Sequence, residues 1–419
     1  MVKVITCRLL VLLFLYPALL SAQQRLTLAG CEELFLRNNL FLLASRYRIE
    51  ASQAAVIQAH AWPNPYFTAD LNAWNPDAKR AFDVGNAGQK EFAIEQLLFL
   101  GNKKKNEVEL ARANAQVAEL EFSDLLRNLR FRLRESFYSV HFDLEKLGTT
   151  DRQIVQIDSL VQAYSAQAVR GNVSFKDLVR LQTLLLDLRN ERMNIRESIL
   201  DKQADLRVLL NTEAEIIPLP DSADLLRYTS VTRINIDSLK NHALVSRPDL
   251  LAAAKNTEAG EWNLKWQRSL RVPDLTIGAA YDQRGGAFNN QLNLRAGIPL
   301  PLWNHNKGGI RMAQAQLKQL GAEQQQLGVE IRTGIATQYA KWLESRSNFE
   351  AAGAIYNNYG IREVYNGMLG NFQSRNITIL EFTDFMESYN RAILQYNDIY
   401  KTFIIDCEAL STLTNSNIF

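Results

Sequence analysis

Proline is missing from most of this 419-residue chain. Its ten prolines are Pro17, Pro63, Pro65, Pro76, Pro218, Pro220, Pro248, Pro273, Pro299 and Pro301, so residues 77–217 and 302–419 hold none. Proline removes a backbone donor and clashes with the preceding turn, so its absence leaves room for two long helical blocks with punctuation between them. Cysteine is scarce: Cys7, Cys31 and Cys407 are too few for a disulfide framework. The four histidines, His60, His141, His242 and His305, are isolated and none has metal-ligand spacing. There is no phosphate-cradling glycine loop and no Ser/His/Asp cluster in a recognisable context. No enzyme, cofactor or metal site is therefore expected. The net charge is only +2 and the basic residues are scattered, which argues against nucleic acid as a partner. Beyond residue 22 no apolar run is long enough to cross a bilayer as a helix.

The first residues read as a secretory signal, 1–22. Lys3 and Arg8 supply the charge, Leu9–Leu20 the apolar run and Ser21-Ala22 the small exit. An exported chain without a helical span can enter a membrane only through strands. Leu28-Ala29-Gly30-Cys31 resembles a lipoprotein cleavage box, but Gln23, Gln24 and Arg25 separate it from the apolar run. Lipidation of Cys31, a Cys31–Cys407 disulfide and free thiols all stay open.

The chain is organised around 102–211, where Gly148 and Gly171 are the only glycines. Phe122, Leu125, Leu129, Leu133, Phe137, Val140, Leu144, Leu147, Ile154, Ile157, Val161, Tyr164 and Ala168 recur in steps of three and four, close to the coiled-coil period. A helix over 102–170 would be roughly 100 Å long. Gly171 and Asn172 suit a left-handed turn, and Ser174 can cap a returning helix from Phe175. The expectation is a long helical hairpin with its tip at 171–174.

Upstream, Leu26–Ala61 reads as one helix ended by Trp62-Pro63-Asn64-Pro65. Tyr66–Trp74 then alternates, with Phe67, Ala69, Leu71 and Ala73 against Thr68, Asp70 and Asn72. A second short strand surrounds Phe92 and Ile94, giving a hairpin over 66–98. Residues 212–235 read as a connector. The plan then restarts: identities recur at offsets between 202 and 208, and Asn172-Val173-Ser174 is answered by Asn376-Ile377-Thr378. The second half has a hairpin over 274–298 and a tip near 375–378. The expected domains are thus a first repeat 23–211, the connector 212–235 and a second repeat 236–419.

Four strands with one apolar and one polar face fit a membrane barrel wall, but known single-chain barrels start at about eight strands. Open edges in lipid leave backbone groups unsatisfied. Other copies must complete the wall, and three copies give about twelve strands. The expected fold is mainly α with a small β part: a long antiparallel coiled-coil α-barrel and a transmembrane β-barrel shared by a trimer. Trp62, Trp266 and Trp303 flank the strands, and Lys103, Lys104 and Lys105 lie just beyond them, where anionic lipid head groups could sit. These lysines oppose the dipole of the helix they open, so they call for a compensating partner.

Leu26-Thr27-Leu28, Asn39-Leu40, Gly101-Asn102-Lys103, Ile298-Pro299-Leu300-Pro301-Leu302 and the two tip turns resemble the outer-membrane efflux protein family, the TolC-type exit ducts, over nearly all of the mature chain. The resemblance implies a trimer in the outer membrane of a Gram-negative bacterium. It also implies a periplasmic adaptor (membrane fusion) protein and an inner-membrane pump of the resistance-nodulation-division type, including its heavy-metal members. The cargo would be small molecules or metal ions. Glu381 and Asp384 share one helical face past the second tip, where the family places acidic entrance residues. With Asp177 and Arg180, their equivalents in the first half, they are gate candidates or ordinary surface charge. Gly171, Asn172, Val173, Ser174, Asn376, Ile377 and Thr378 are candidates for adaptor docking or simply turn the chain. A pore-free periplasmic coiled-coil adaptor or spacer is the competing reading.

Overall fold

A computed structural model describes residues 23–86, 88–285, 287–358 and 361–419, so the expected signal at 1–22 lies outside the described residues. In chain order the elements are β1 (Gln24–Leu26), α1 (Leu28–Asn38), α2 (Leu40–His60), β2 (Tyr66–Leu71), β3 (Trp74–Asn75), β4 (Arg80–Ala81) and β5 (Gln89–Leu98). Next come α3 (Lys103–Val169), α4 (Phe175–Leu210), β6 (Ile216–Pro218), α5 (Ser222–Ser230), α6 (Ile236–Ser246) and α7 (Pro248–Ser269). The last are β7 (Leu275–Arg284), β8 (Phe288–Gly297), α8 (Lys307–Asn358), α9 (Ile361–Gln373) and α10 (Ile379–Thr414).

The expected long helix is present as the 67 residues of α3. The single helix expected over Leu26–Ala61 is instead a strand and two helices. Asn39 explains the break. Its N–H closes α1 on Phe35 O at 3.1 Å, and its Oδ1 accepts from Leu42 N–H at 3.0 Å to open α2. Its Nδ2 donates to Leu209 O at 2.8 Å, satisfying a carbonyl at the end of α4. Leu26 joins β1, which pairs in parallel with β6. The first strand ends at Leu71, short of Trp74, which belongs to the small β3–β4 ribbon.

The internal repeat is sharper in the backbone than in the sequence. Left-handed residues fall at Asn102, Gly171 and Asn211 and again at Asn306, Arg375 and Asn415, each pair separated by the same 204 residues (102 to 306, 171 to 375, 211 to 415). The second turn thus bends at Arg375 (φ +60°) rather than at Asn376, and the first at Gly171 (φ +76°). Arg375 accepts a strain of roughly 1 kcal/mol that Gly171 avoids.

The chain forms two compact units, each drawing on both repeats. One comprises Leu125–Leu244, Ile331–Phe419 and the chain up to Leu43; the other comprises Ala44–Asp124 and Val245–Glu330. The first is mainly helical, with the β1–β6 pair inside it. Phe382, Tyr389, Tyr396 and Phe403 recur every seven residues along α10 and stack on Phe372, Tyr365, Tyr356 and Phe349, with centroids 4.2 to 5.0 Å apart. On the partner helices the step from Tyr356 to Tyr365 is nine residues, so the seven-residue register shifts between them.

A set of charges around the buried Glu408 also ties this unit together. Glu408 accepts from Arg134 at 2.8 Å, from Arg227 at 3.2 Å and from the Tyr228 hydroxyl. Arg134 also donates to Glu32 at 2.7 Å. α3 and α5 thus meet on the Glu408 carboxylate of α10, and α1 joins them through Arg134. Burial pushes the Tyr228 hydroxyl up, as does the Glu408 charge beside it. Cys31 and Cys407 are free and fully buried. The free thiols set aside the disulfide.

The second unit holds a four-stranded antiparallel sheet in the order β2-β5-β7-β8. Directly paired residues share a face. Phe67, Phe92, Ile94, Tyr281, Ile277, Leu292 and Leu294 fall on one face by register. Asp70, Glu91, Glu95, Asp282, Asn293 and Arg295 fall on the other.

Candidate functional surfaces

The two hairpin tips are built alike. At the first, Asn172 N–H bonds Gln167 O at 3.0 Å and its side-chain amide donates to Gln167 Oε1 at 2.8 Å. At the second, Asn376 N–H bonds Asn371 O at 2.8 Å and its amide donates to Asn371 Oδ1 at 3.3 Å. Asparagine is needed here to close the preceding helix with its side chain, not to take the left-handed angle. Ser174 and Thr378 cap the returning helices through Lys176 N–H and Glu381 N–H, both at 3.2 Å. The tips share one apolar core. Ile157, Leu181, Phe372, Phe382 and Met386 are buried in it, and Tyr164 and Ile377 pack against them.

The gate candidates differ in their surroundings. Glu381 is engaged locally: its carboxylate accepts from the Thr378 N–H and hydroxyl, each at 2.8 Å, in a complete capping box. Those bonds hold its carboxyl below the usual carboxylate range. Asp384, one turn on, is exposed, while Asp177 and Arg180 are half-buried. Burial pushes the Tyr164 hydroxyl up, Asp177 adds to the shift and Arg375 opposes it, so charges from both tips converge there. Sequence reasoning missed Val169 and Phe175, which flank the first tip and are 91% and 73% exposed. Apolar residues bordering a turn, outside the heptad stripe, were the available signal.

The sheet is the second surface. Leu294, Leu292, Phe67 and Ile94 on its apolar face are 87%, 74%, 63% and 53% exposed, which is unusual for a water-facing sheet. Both outer edges, β2 and β8, are without a strand partner among the described residues. On the polar face Arg295 reaches across β7 to Glu91 and, at 3.5 Å, to Glu95. It crosses over Gly278, where a Cβ would lie 2.6 Å from the Ile94 carbonyl oxygen. Among the described residues no helix is long and apolar enough to cross a membrane. No group of three or more His, Cys, Asp or Glu among them could hold a metal ion.

The flanking residues divide. Trp303 is 90% exposed beside exposed Leu300 and Leu302, and Trp62 stacks on Phe99 with centroids 6.0 Å apart. Trp266 sits half-buried within α7. Lys103 is turned inward and pairs with Asp274 at 2.6 Å, the partner that its place at a helix start calls for. Lys104 pairs with Glu107 at 3.1 Å and lies over the Phe99 ring, leaving Lys105 exposed.

Comparison with known proteins agrees with this geometry. The profile described as "Outer membrane efflux protein" matches residues 33–212 and 239–416. The cobalt-zinc-cadmium resistance protein CzcC of Cupriavidus metallidurans is 23% identical over 297 residues, covering 70% of this chain and 66% of that protein. Among solved structures, a membrane protein from Pseudomonas aeruginosa superposes with a TM-score of 0.75 at 17% identity, covering 92% of each chain. The Campylobacter jejuni CmeC outer membrane channel superposes with a TM-score of 0.75 at 11% identity, covering 92% of this chain and 85% of that one. With both repeats matched and the fold shared over 92% of the chain, the chain belongs to the outer membrane efflux protein family.

Proposed function

We propose that this chain is the outer-membrane channel of a tripartite efflux system, a passive exit duct and not an enzyme. Three copies close their sheets into one barrel, and the duct works with a periplasmic adaptor protein and an inner-membrane pump of the resistance-nodulation-division type. The observation that carries this reading is a sheet with an exposed apolar face and two open edges. Such a sheet is costly in water and incomplete in lipid unless neighbouring copies pair its edges. A pore-free adaptor or spacer has no use for that face. The name of the Cupriavidus relative points to metal cations as cargo. Four carboxylates against Arg295 on the polar face of the sheet are compatible with cations.

At the periplasmic end, Asp384 with Asp177 and Arg180 forms the entrance, while Glu381 holds the helix start beneath it. The tip residues Gly171, Asn172, Val173, Ser174, Asn376, Ile377 and Thr378, joined by Phe175, meet the adaptor. Trp62, Trp303 and Lys105 mark the membrane boundary. Purified protein in a planar bilayer should give discrete ion-conducting steps, and an unheated gel sample should run as a trimer. A water-soluble, non-conducting monomer overturns the proposal.

A further inference from the structure

Charge is unevenly placed along this chain. Three short stretches, 99–107, 265–274 and 303–312, together hold eight lysines and arginines and two carboxylates. They net +6 where the whole chain nets +2, so everything else nets −4. The fold gathers the three stretches at one end of the sheet. The last turns of α7 are bonded to the starts of both α3 and α8. Asn106 Nδ2 donates to Lys265 O at 3.3 Å, and Asn306 Nδ2 donates to Gln267 O at 2.8 Å.

Both carboxylates of the three stretches are already taken, Asp274 by Lys103 and Glu107 by Lys104. Lys265 lies over the Trp262 ring at 3.7 Å. Five cations remain: Lys105, Arg268, Arg271, Lys307 and Arg311. All are exposed, and none meets a carboxylate among the described residues. Neither α3 nor α8 offsets them with an acidic residue in its first turn, where helices favour one. Like charges gathered in water repel one another, so the chain by itself gains nothing from this arrangement.

Exposed apolar side chains stand on the sheet side of these cations in all three stretches. Leu100, 37% exposed, precedes Lys105. Val272 stands sheetward of Arg271 and Leu270 of Arg268, each 38% exposed. Leu300, Leu302 and Trp303 precede Lys307 and Arg311. An apolar band that turns cationic within one or two helical turns is the profile of a chain leaving a bilayer. Long basic side chains there reach the phosphates of the head groups. A zwitterionic head group sets its own ammonium against its phosphate, whereas an anionic one leaves the phosphate charge for the protein.

We infer that these five residues form a belt that binds the phosphate groups of anionic phospholipids in the leaflet nearest the helices, and so sets the depth of the barrel. The occupant is a lipid surface. The inference rests on the trimeric duct proposed above, in which the sheet crosses a membrane. It adds the lipid class that the helix end of the sheet selects, and it moves the contact from the lysine triplet to α7 and α8.

The test is quenching of tryptophan fluorescence by brominated lipid, on full-length trimer reconstituted into bilayers. Trp303, 90% exposed, reports the lipid in contact with it. Mixed bilayers are compared in which either phosphatidylglycerol or phosphatidylcholine carries the bromine. The native protein should prefer phosphatidylglycerol by at least about fivefold at low salt, the factor a single cation contributes at an anionic surface. The preference should shrink at high salt. Arg268→Ser, Arg271→Ser, Lys307→Ser and Arg311→Ser combined should abolish it, with trimer mass, helix content and conductance unchanged. Lys307→Ser alone should weaken it. Arg332→Ser with Lys341→Ser, roughly 30 Å or more beyond Arg311 along α8, should keep it. If the native protein shows no preference, or both combined variants lose it alike, the belt is wrong and the duct stands. The same holds if the quadruple variant shifts the reversal potential and keeps the lipid preference, since its cations then line the lumen. If the protein stays a soluble monomer that no brominated lipid quenches, the duct reading itself fails.

Discussion

Replacing Asp143 with asparagine should remove a large part of the stability of the helical unit. The Asp143 side chain has no exposed surface. It accepts from Lys146 at 2.9 Å, from Lys401 at 3.2 Å and from the Ser198 hydroxyl at 2.8 Å, tying α3, α4 and α10 together. Asparagine keeps the shape and an acceptor for Ser198 and removes only the charge. At an effective dielectric constant near 20, each lysine pair is worth about 5 kcal/mol of gross attraction. Most of that offsets the desolvation of Asp143 and Lys146, which are buried, and of the partly buried Lys401. The substitution keeps the desolvation of Lys146 and Lys401 and deletes the attraction. Both lysines retain Asp398, at 2.8 and 3.2 Å, but that carboxylate is half exposed and contributes little. Losing one partner of a buried ion pair costs about 3–5 kcal/mol, and the surviving Asp398 contacts place the expected loss near 3 kcal/mol.

Urea unfolding in detergent, followed by helical circular dichroism, reads this loss as a shift in midpoint at constant slope. The pH dependence gives a second reading. Burial alone would raise the Asp143 carboxyl, but the Lys146 bond and the Lys401 and Lys146 charges hold it below its ordinary value of 3.8. A carboxyl lowered by folding contributes stability that is fully present above its unfolded value and is lost as pH falls through the lower folded one. The native protein should therefore weaken below about pH 4, and the asparagine variant should show a flatter acid limb. A variant within about 0.5 kcal/mol of the native protein, with an unchanged acid limb, would refute the account of this network.

Four further outcomes are expected. Thr378→Ala breaks the capping box and should lose about 1 kcal/mol locally, seen as faster amide exchange at Leu380 and Glu381, with the far end of α10 unaffected. Arg295→Gln leaves Glu91 and Glu95 unpaired on the polar face of the sheet, so the reversal potential in a salt gradient should move toward stronger cation selectivity. Asp384→Asn should reduce block by divalent cations at the periplasmic side without changing helix content. Unchanged block removes Asp384 from the entrance. Cys31 and Cys407 should resist maleimide until the protein unfolds, because both are buried and burial pushes the Cys31 thiol up to about 12.

The chain states its own local plan. The absence of proline fixed where helices could run, and the heptads of 102–170 predicted α3 almost to the residue. Strict alternation located β7 and β8, because period two admits no other regular structure. Gly171 and Ser174 announced the first tip through turn chemistry confined to a few adjacent residues. Asn39 was harder to read. Its helix break depends on a carbonyl at Leu209, 170 positions away, that no local pattern reveals.

The candidate surfaces divide along the same line. Glu381 and Asp384, both exposed, were visible as a spaced pair, and a local capping box with Thr378, three residues away, sets Glu381 apart. Lys103 stood among three adjacent lysines, and its partner Asp274 lies 171 residues further on. Glu408 gathers Arg134, Arg227 and Tyr228 from distant segments. The sequence by itself determined the long helices, the sheet strands, the repeat and the need for sister copies, since these follow from local periodicity and from strand edges that four strands cannot close. The tertiary structure alone decided which charges meet and which cations stay unpaired, because those depend on helix heights and rotations that only packing sets.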